Sequence, residues 1–99
     1  MAQFDVHKLP GKGGLVVNCQ SDFLSDYETR FVIPLFAVET GAIPASRLNP
    51  RLIVEGRAML LYTQYGGAVK RTALGPAIAS LDADHLEIKA ALDMLISGI

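Results

Sequence analysis

The stretch "RFVIPLFAV", residues 30–38, decides what kind of fold this chain adopts. Successive side chains of a strand point to opposite faces, and here both sets of positions are apolar. Such a strand is buried on both faces, or buried on one and covered by a second subunit on the other. Pro34 has no N–H to give to a neighbouring strand, which predicts an edge or a bulge there.

Towards the N-terminus, "LVVNCQ" (15–20) reads as a strand. "AQFDVH" (2–7) alternates, with Phe4 and Val6 on one face and Gln3, Asp5 and His7 on the other, the pattern of a half-buried strand. Between them "KLPGKGG" (8–14) is a hairpin turn, because Pro10, Gly11, Gly13 and Gly14 do not all fit inside a regular element. "SDFLSDYET" (21–29) is a polar loop carrying Phe23 and Leu24. These two either turn inward beneath the loop or serve at the surface.

Beyond residue 38, "TGAIPASRLNP" (40–50) is loop or small-sheet material. "RLIVEGRAMLLYTQY" (51–65) reads as two strands turning at Glu55-Gly56. Gly66-Gly67 breaks the pattern, "AVKRTAL" (68–74) is a further strand, and Gly75-Pro76 closes the β region. "SLDADHLEIKAALDMLIS" (80–97) is the helix. Leu81, Ile88, Leu92 and Leu95 form an apolar stripe that packs on a sheet, and Lys89, Asp93 and Ser97 form a polar one. Asp84 with Glu87 makes a capping box, with Asp82 as the alternative cap. The predicted fold is mainly β with a C-terminal helix: a twisted antiparallel sheet or small SH3-like barrel of five or more short strands, one domain over residues 1–99.

Composition agrees. Of 99 residues, 51% are apolar and 19% charged, which suits a folded domain and excludes a disordered one. A domain this small and this apolar is expected to cover part of its surface with a second copy, as a homodimer. The net charge is -1 and the basic residues are scattered, so the chain lacks the patch that neutralises nucleic-acid phosphates. Lys70-Arg71 reads as a solvated strand edge. The single cysteine, Cys19, alternates with Leu15 and Val17 and is expected in a core. A lone thiol suits a reducing cytoplasm. No apolar run reaches the length of a membrane span, and "MAQFDVHKLP" lacks a basic region followed by an apolar one, so a cytoplasmic protein is expected.

Catalytic chemistry has little to stand on. His7, at a strand end, and His85, in the first helical turn, lack metal-ligand spacing to other residues and are expected to be structural. "GKGG" (11–14) precedes a strand, not a helix, so it cradles no phosphate. Arg30 with Thr29 or Glu28 could form an acid–base group for RNA cleavage, on spacing alone. The expectation is a binding protein, not an enzyme, with no cofactor and no metal.

Several pieces occur together in order: "QF" at 3–4, "QSD" at 20–22, "RFVIPL" at 30–35, "SRLNP" at 46–50, "EIKAALDML" at 87–95, and Gly98-Ile99. In this arrangement the chain resembles the CcdB family, the toxin half of bacterial toxin–antitoxin pairs, over essentially its whole length. The resemblance implies a barrel-like twisted sheet with a C-terminal helix, assembled as a homodimer. It implies a toxin that binds the A subunit of DNA gyrase and traps it on cleaved DNA, is neutralised by a partly disordered cognate antitoxin, and meets DNA only indirectly through that antitoxin.

Position by position, the resemblance places Ser97, Gly98 and Ile99 at the tip that meets gyrase, with Asp93 one turn earlier. It places Phe23 and Leu24 near that surface and in the antitoxin-binding region. Ile99 either protrudes or folds back onto the sheet. The family's tryptophan before Gly-Ile is Ser97 here, which predicts a weakened or retargeted contact. Two other functions stay open: a non-toxic, antitoxin-binding homodimer that regulates its own operon, and an endoribonuclease toxin on a related barrel.

Overall fold

The computed structural model describes residues 2–40 and 43–98. Its strands are β1 (Asp5–Lys8), β2 (Leu15–Asn18), β3 (Thr29–Ala37), β4 (Arg51–Val54), β5 (Arg57–Leu61), β6 (Gly67–Lys70) and β7 (Ala77–Ser80), followed by helix α1 (His85–Ser97). All pairings are antiparallel, in the order β4-β5-β3-β2-β1-β7, with β6 also on β3. The sheet curls into a half-barrel closed by the helix.

β3 organises the sheet. On one side it pairs continuously with β2, from Leu15↔Leu35 to Asn18↔Val32. On the other it changes partner: Thr29 to Val32 face β6, and Leu35 to Ala37 face β5. Pro34 lies at that handover, so it marks neither an edge nor a bulge. The N–H and C=O of a strand residue point to the same side. The Pro34 carbonyl accepts from the Tyr62 N–H at 2.9 Å, so its missing donor falls on the side where the sheet divides, where no ladder bond is lost.

Both faces of β3 are buried, as the sequence requires. Phe4, Val6, Val17, Cys19, Ile33, Leu35, Leu52, Met59 and Leu61 form the main core with Ile88 and Ala91 of the helix. On the opposite face Val16, Val32 and Leu74 form a second cluster, with Leu9 and Val69 over it. Burying each large aliphatic side chain contributes about 1.5–3 kcal/mol. The N-terminal half of β3 is therefore covered by this chain itself, while Phe36 at its far end stays exposed.

The β4–β5 turn falls at Glu55-Gly56, with Val54 paired to Arg57. Its central residues have φ 50° and 81°, the backbone of a two-residue type I′ hairpin. Other boundaries move. β1 starts at Asp5 because Phe4 has φ 71° and turns the chain. β6 stops at Lys70, where Arg71–Ala73 form a 3₁₀ turn. The β region does not end at Gly75-Pro76, since β7 follows and pairs with β1. Of residues 40–50, those described form no strand.

His7 is the main reversal on the polar face of β1. It is 1% exposed, opposite Val16 of β2, with its Nδ1 2.7 Å from the Gly75 carbonyl. The helix is also shorter than the apolar stripe suggests. Ser80 belongs to β7 and Asp82–Asp84 form a 3₁₀ turn. Leu81 and Ile88 are buried and Leu92 packs against the core, but Leu95 is exposed. Ala91 takes the inner place because a methyl group lets the helix approach the sheet closely. Among the described residues the Asp84 side chain makes no capping hydrogen bond, so the Asp84–Glu87 box does not form. Asp82 does not cap it either, being itself within the 3₁₀ turn. No helix is long and apolar enough to cross a membrane, among the described residues.

Candidate functional site

The loop between β2 and β3 is built by the "QSD" residues themselves. Ser21 Oγ accepts from the Phe23 N–H at 3.2 Å, and the Ser21 carbonyl accepts from the Leu24 N–H at 2.9 Å, which together start a 3₁₀ turn over Asp22–Leu24. Asp22 Oδ1 accepts from the Gln3 N–H at 2.9 Å. Gln20 reaches both ways: Nε2 donates to the Leu24 carbonyl and Oε1 accepts from the Phe31 N–H, each at 3.0 Å. A polar side chain next to a strand end satisfies backbone groups that no ladder reaches.

This turn throws Phe23 outward. The phenyl ring is 99% exposed and Leu24 is exposed beside it, so neither turns inward beneath the loop. Tyr27, three residues on, is exposed as well.

Arg30 has left the surface instead. It is 5% exposed, and its guanidinium donates to three main-chain carbonyls: Nη1 to Tyr27 at 2.7 Å and Thr29 at 2.9 Å, Nη2 to Ser25 at 2.7 Å. Thr29 and Glu28 are exposed while Arg30 is spent on carbonyls, so the three do not assemble an acid–base group. Cys19 is inert too: burial pushes its thiol up from an ordinary 9.0 to about 12. His85 Nδ1 donates to the Asp82 carbonyl at 2.8 Å, a local brace of the helix start that leaves the residue half-buried, not exposed.

At the other end of the chain, Gly98 stops the helix. Its φ of 76° is the left-handed region, and its N–H donates to the Met94 carbonyl at 3.1 Å. Asp93 and Ser97 are exposed, as the polar stripe predicts, and so is Gly98. Ile99 lies outside the described residues. The sequence reading missed Ile96, which is 80% exposed beside Ser97. The two candidate patches sit on different elements. Within one chain the main turn neighbours of α1 are Thr63–Tyr65 and Asp82–Asp84.

A third group, with Phe36 and Tyr65 exposed and Tyr62 half-buried, escaped the sequence. Phe36, Tyr62 and Tyr65 cluster edge-on, with Phe36–Tyr62 ring centroids 4.5 Å apart and Phe36–Tyr65 at 6.5 Å. They come from β3 and the turn after β5, and their spacing in sequence carries no period. A hollow of about 360 Å³ between residues 45–51 and α1, lined by Arg47, Arg51 and Glu87, lies apart from Phe23 and the helix end.

The sites thus present protruding apolar side chains on braced turns, geometry suited to protein contact. A comparison with curated proteins returns no match. The family model described as CcdB protein matches residues 3–98. With that match spanning nearly the whole chain and a curled sheet closed by a C-terminal helix, the chain belongs to the CcdB family, toxins of toxin–antitoxin systems.

Proposed function

We propose that this chain is a toxin that binds the A subunit of DNA gyrase and poisons it, and that a cognate antitoxin neutralises it in the cytoplasm. The observation that carries the reading is Phe23, fully exposed on a turn held by four neighbouring hydrogen bonds. An aromatic ring that gains nothing from its own fold is suited to a pocket on a partner. Leu24 extends that contact. Asp93, Ser97, Gly98 and Ile99 supply a second contact, with Ile96 adding apolar area.

The chain acts by binding and needs no cofactor or metal. It assembles as a homodimer, for which the exposed Phe36, Ile53 and Tyr65 with the half-buried Tyr62 give apolar surface, and it reaches DNA only through its antitoxin. An acidic, disordered antitoxin segment would cover Phe23 and Leu24 while ordering on the first hairpin and the loop.

Ser97, exposed where the family carries tryptophan, favours a second reading: a homodimer that binds its antitoxin and regulates its operon without toxicity. The carbonyl-bound Arg30 speaks against an endoribonuclease. Expression without antitoxin tests all three. DNA breaks support the gyrase reading, growth without damage supports the regulatory one, and RNA decay without DNA breaks overturns both.

A further inference from the structure

The seven residues between Ser21 and Thr29 lie outside the strands, yet they hold Phe23 in one place. A ring on a mobile loop loses affinity to the entropy of ordering that loop on binding. The bonds described above restrain the ascending limb through Gln3 and Gln20, as far as Leu24. Beyond Leu24 the Ser25 and Tyr27 N–H groups turn back to the Asp22 and Leu24 carbonyls and the Glu28 carbonyl accepts from the Arg71 N–H at 2.8 Å, while the carbonyls of Ser25, Tyr27 and Thr29 go to Arg30. Its fork spans the carbonyls of Ser25, Tyr27 and Thr29 from beneath the loop.

Two features show that this is more than packing. Among the described residues no carboxylate lies within ion-pair distance of Arg30, so its charge is balanced by carbonyl dipoles alone. A buried cation without a counter-ion is costly, and an apolar side chain would fill the same space without that cost. Lysine, a single point of charge on a flexible stem, cannot donate in a planar fork to carbonyls on two sides.

We infer that Arg30 is a positioning residue for partner binding: by clamping three loop carbonyls it pre-orders residues 25–29 and so completes the frame that presents Phe23 as a rigid contact. The inference rests on the reading of Phe23 as a contact residue, and its test separates the two.

Amide exchange without any partner reads the positioning directly. In Arg30→Lys the amides of Ser25 and Tyr27, on the limb the guanidinium holds, should exchange about tenfold faster while Ile33 in β3 is unchanged. Equal acceleration at Ile33, or none in the loop, overturns the inference. Affinity for purified gyrase A subunit reads the consequence. Arg30→Lys should weaken binding about three- to tenfold when Phe23 is present and leave it unchanged in a Phe23→Ala background. The same factor in both backgrounds means a merely structural role and overturns the inference. If Phe23→Ala alone leaves affinity intact, the contact reading fails, and the exchange result still decides the positioning. Should Arg30→Lys fail to fold, Arg30→Gln, whose amide cannot span the three carbonyls, takes its place with the same expected pattern in both measurements.

Discussion

The Nδ1–H of His7 donates to the carbonyl oxygen of Gly75 at 2.7 Å and so ties β1 to the bend that leads into β7. The opposite ring nitrogen, Nε2, is buried with no partner among the described residues. The imidazole thus fills buried space opposite Val16 while satisfying one carbonyl. His7→Ala should cost about 2–4 kcal/mol, from the cavity and the orphaned acceptor together. Urea denaturation measures it, and a loss below about 0.5 kcal/mol would mean the bend holds without the ring.

The helix offers a paired test of which face is buried. Ile88→Ala removes a fully buried side chain and should cost about 3–5 kcal/mol. Leu95→Ala should cost less than about 1 kcal/mol in stability, because Leu95 is 43% exposed. Comparable losses at the two positions would place Leu95 against something this chain alone does not provide.

Glu55 sits at φ 50°, a conformation that costs most side chains about 1 kcal/mol and that asparagine tolerates better. Glu55→Asn should raise stability by about 0.5–1 kcal/mol, seen as a shifted denaturation midpoint with an unchanged slope. A decrease would show that the Glu55 side chain makes an interaction that outweighs the strain.

Cys19 sets an alkaline dependence. Its folded value lies above the unfolded one, so its contribution to stability is complete below pH 9.0 and is lost as pH rises towards about 12. Cys19→Ala should flatten that part of the alkaline profile relative to wild type. In the folded protein at neutral pH the thiol should also resist alkylating reagents and react only on unfolding. Rapid native labelling would contradict the burial.

Ser97→Trp restores the aromatic at the helix end, where Ser97 is exposed and Gly98 turns the chain. A buried aromatic anchor contributes about 2–4 kcal/mol, so binding to gyrase A subunit should tighten roughly thirty- to a thousand-fold. A folded Ser97→Trp protein that still ignores gyrase would show that the target is another protein.

What the sequence determined by itself was local. The turn at Glu55-Gly56, the burial of Cys19 beside Val17, the two-sided burial of β3 and the wet stripe of Lys89, Asp93 and Ser97 all follow from periods of two or 3.6 residues. Those patterns are complete within a few residues, so no distant partner is needed to read them. Tertiary structure decided the rest. "AIAS" is too short and too small to declare itself a strand, and it became β7 only because β1 had a free edge to pair with. Pro34 became harmless only where β6 and β5 leave a gap, and Ala91 became core only where the helix meets the sheet closely. His7 was buried where its ring meets the Gly75 carbonyl, almost seventy residues away. Arg30, which the sequence offers as a reactive group, was drawn under a loop and donates to three of its carbonyls. Each outcome depends on which unpaired backbone groups and uncovered apolar faces arrive at the same place, and the chain shows that only once folded.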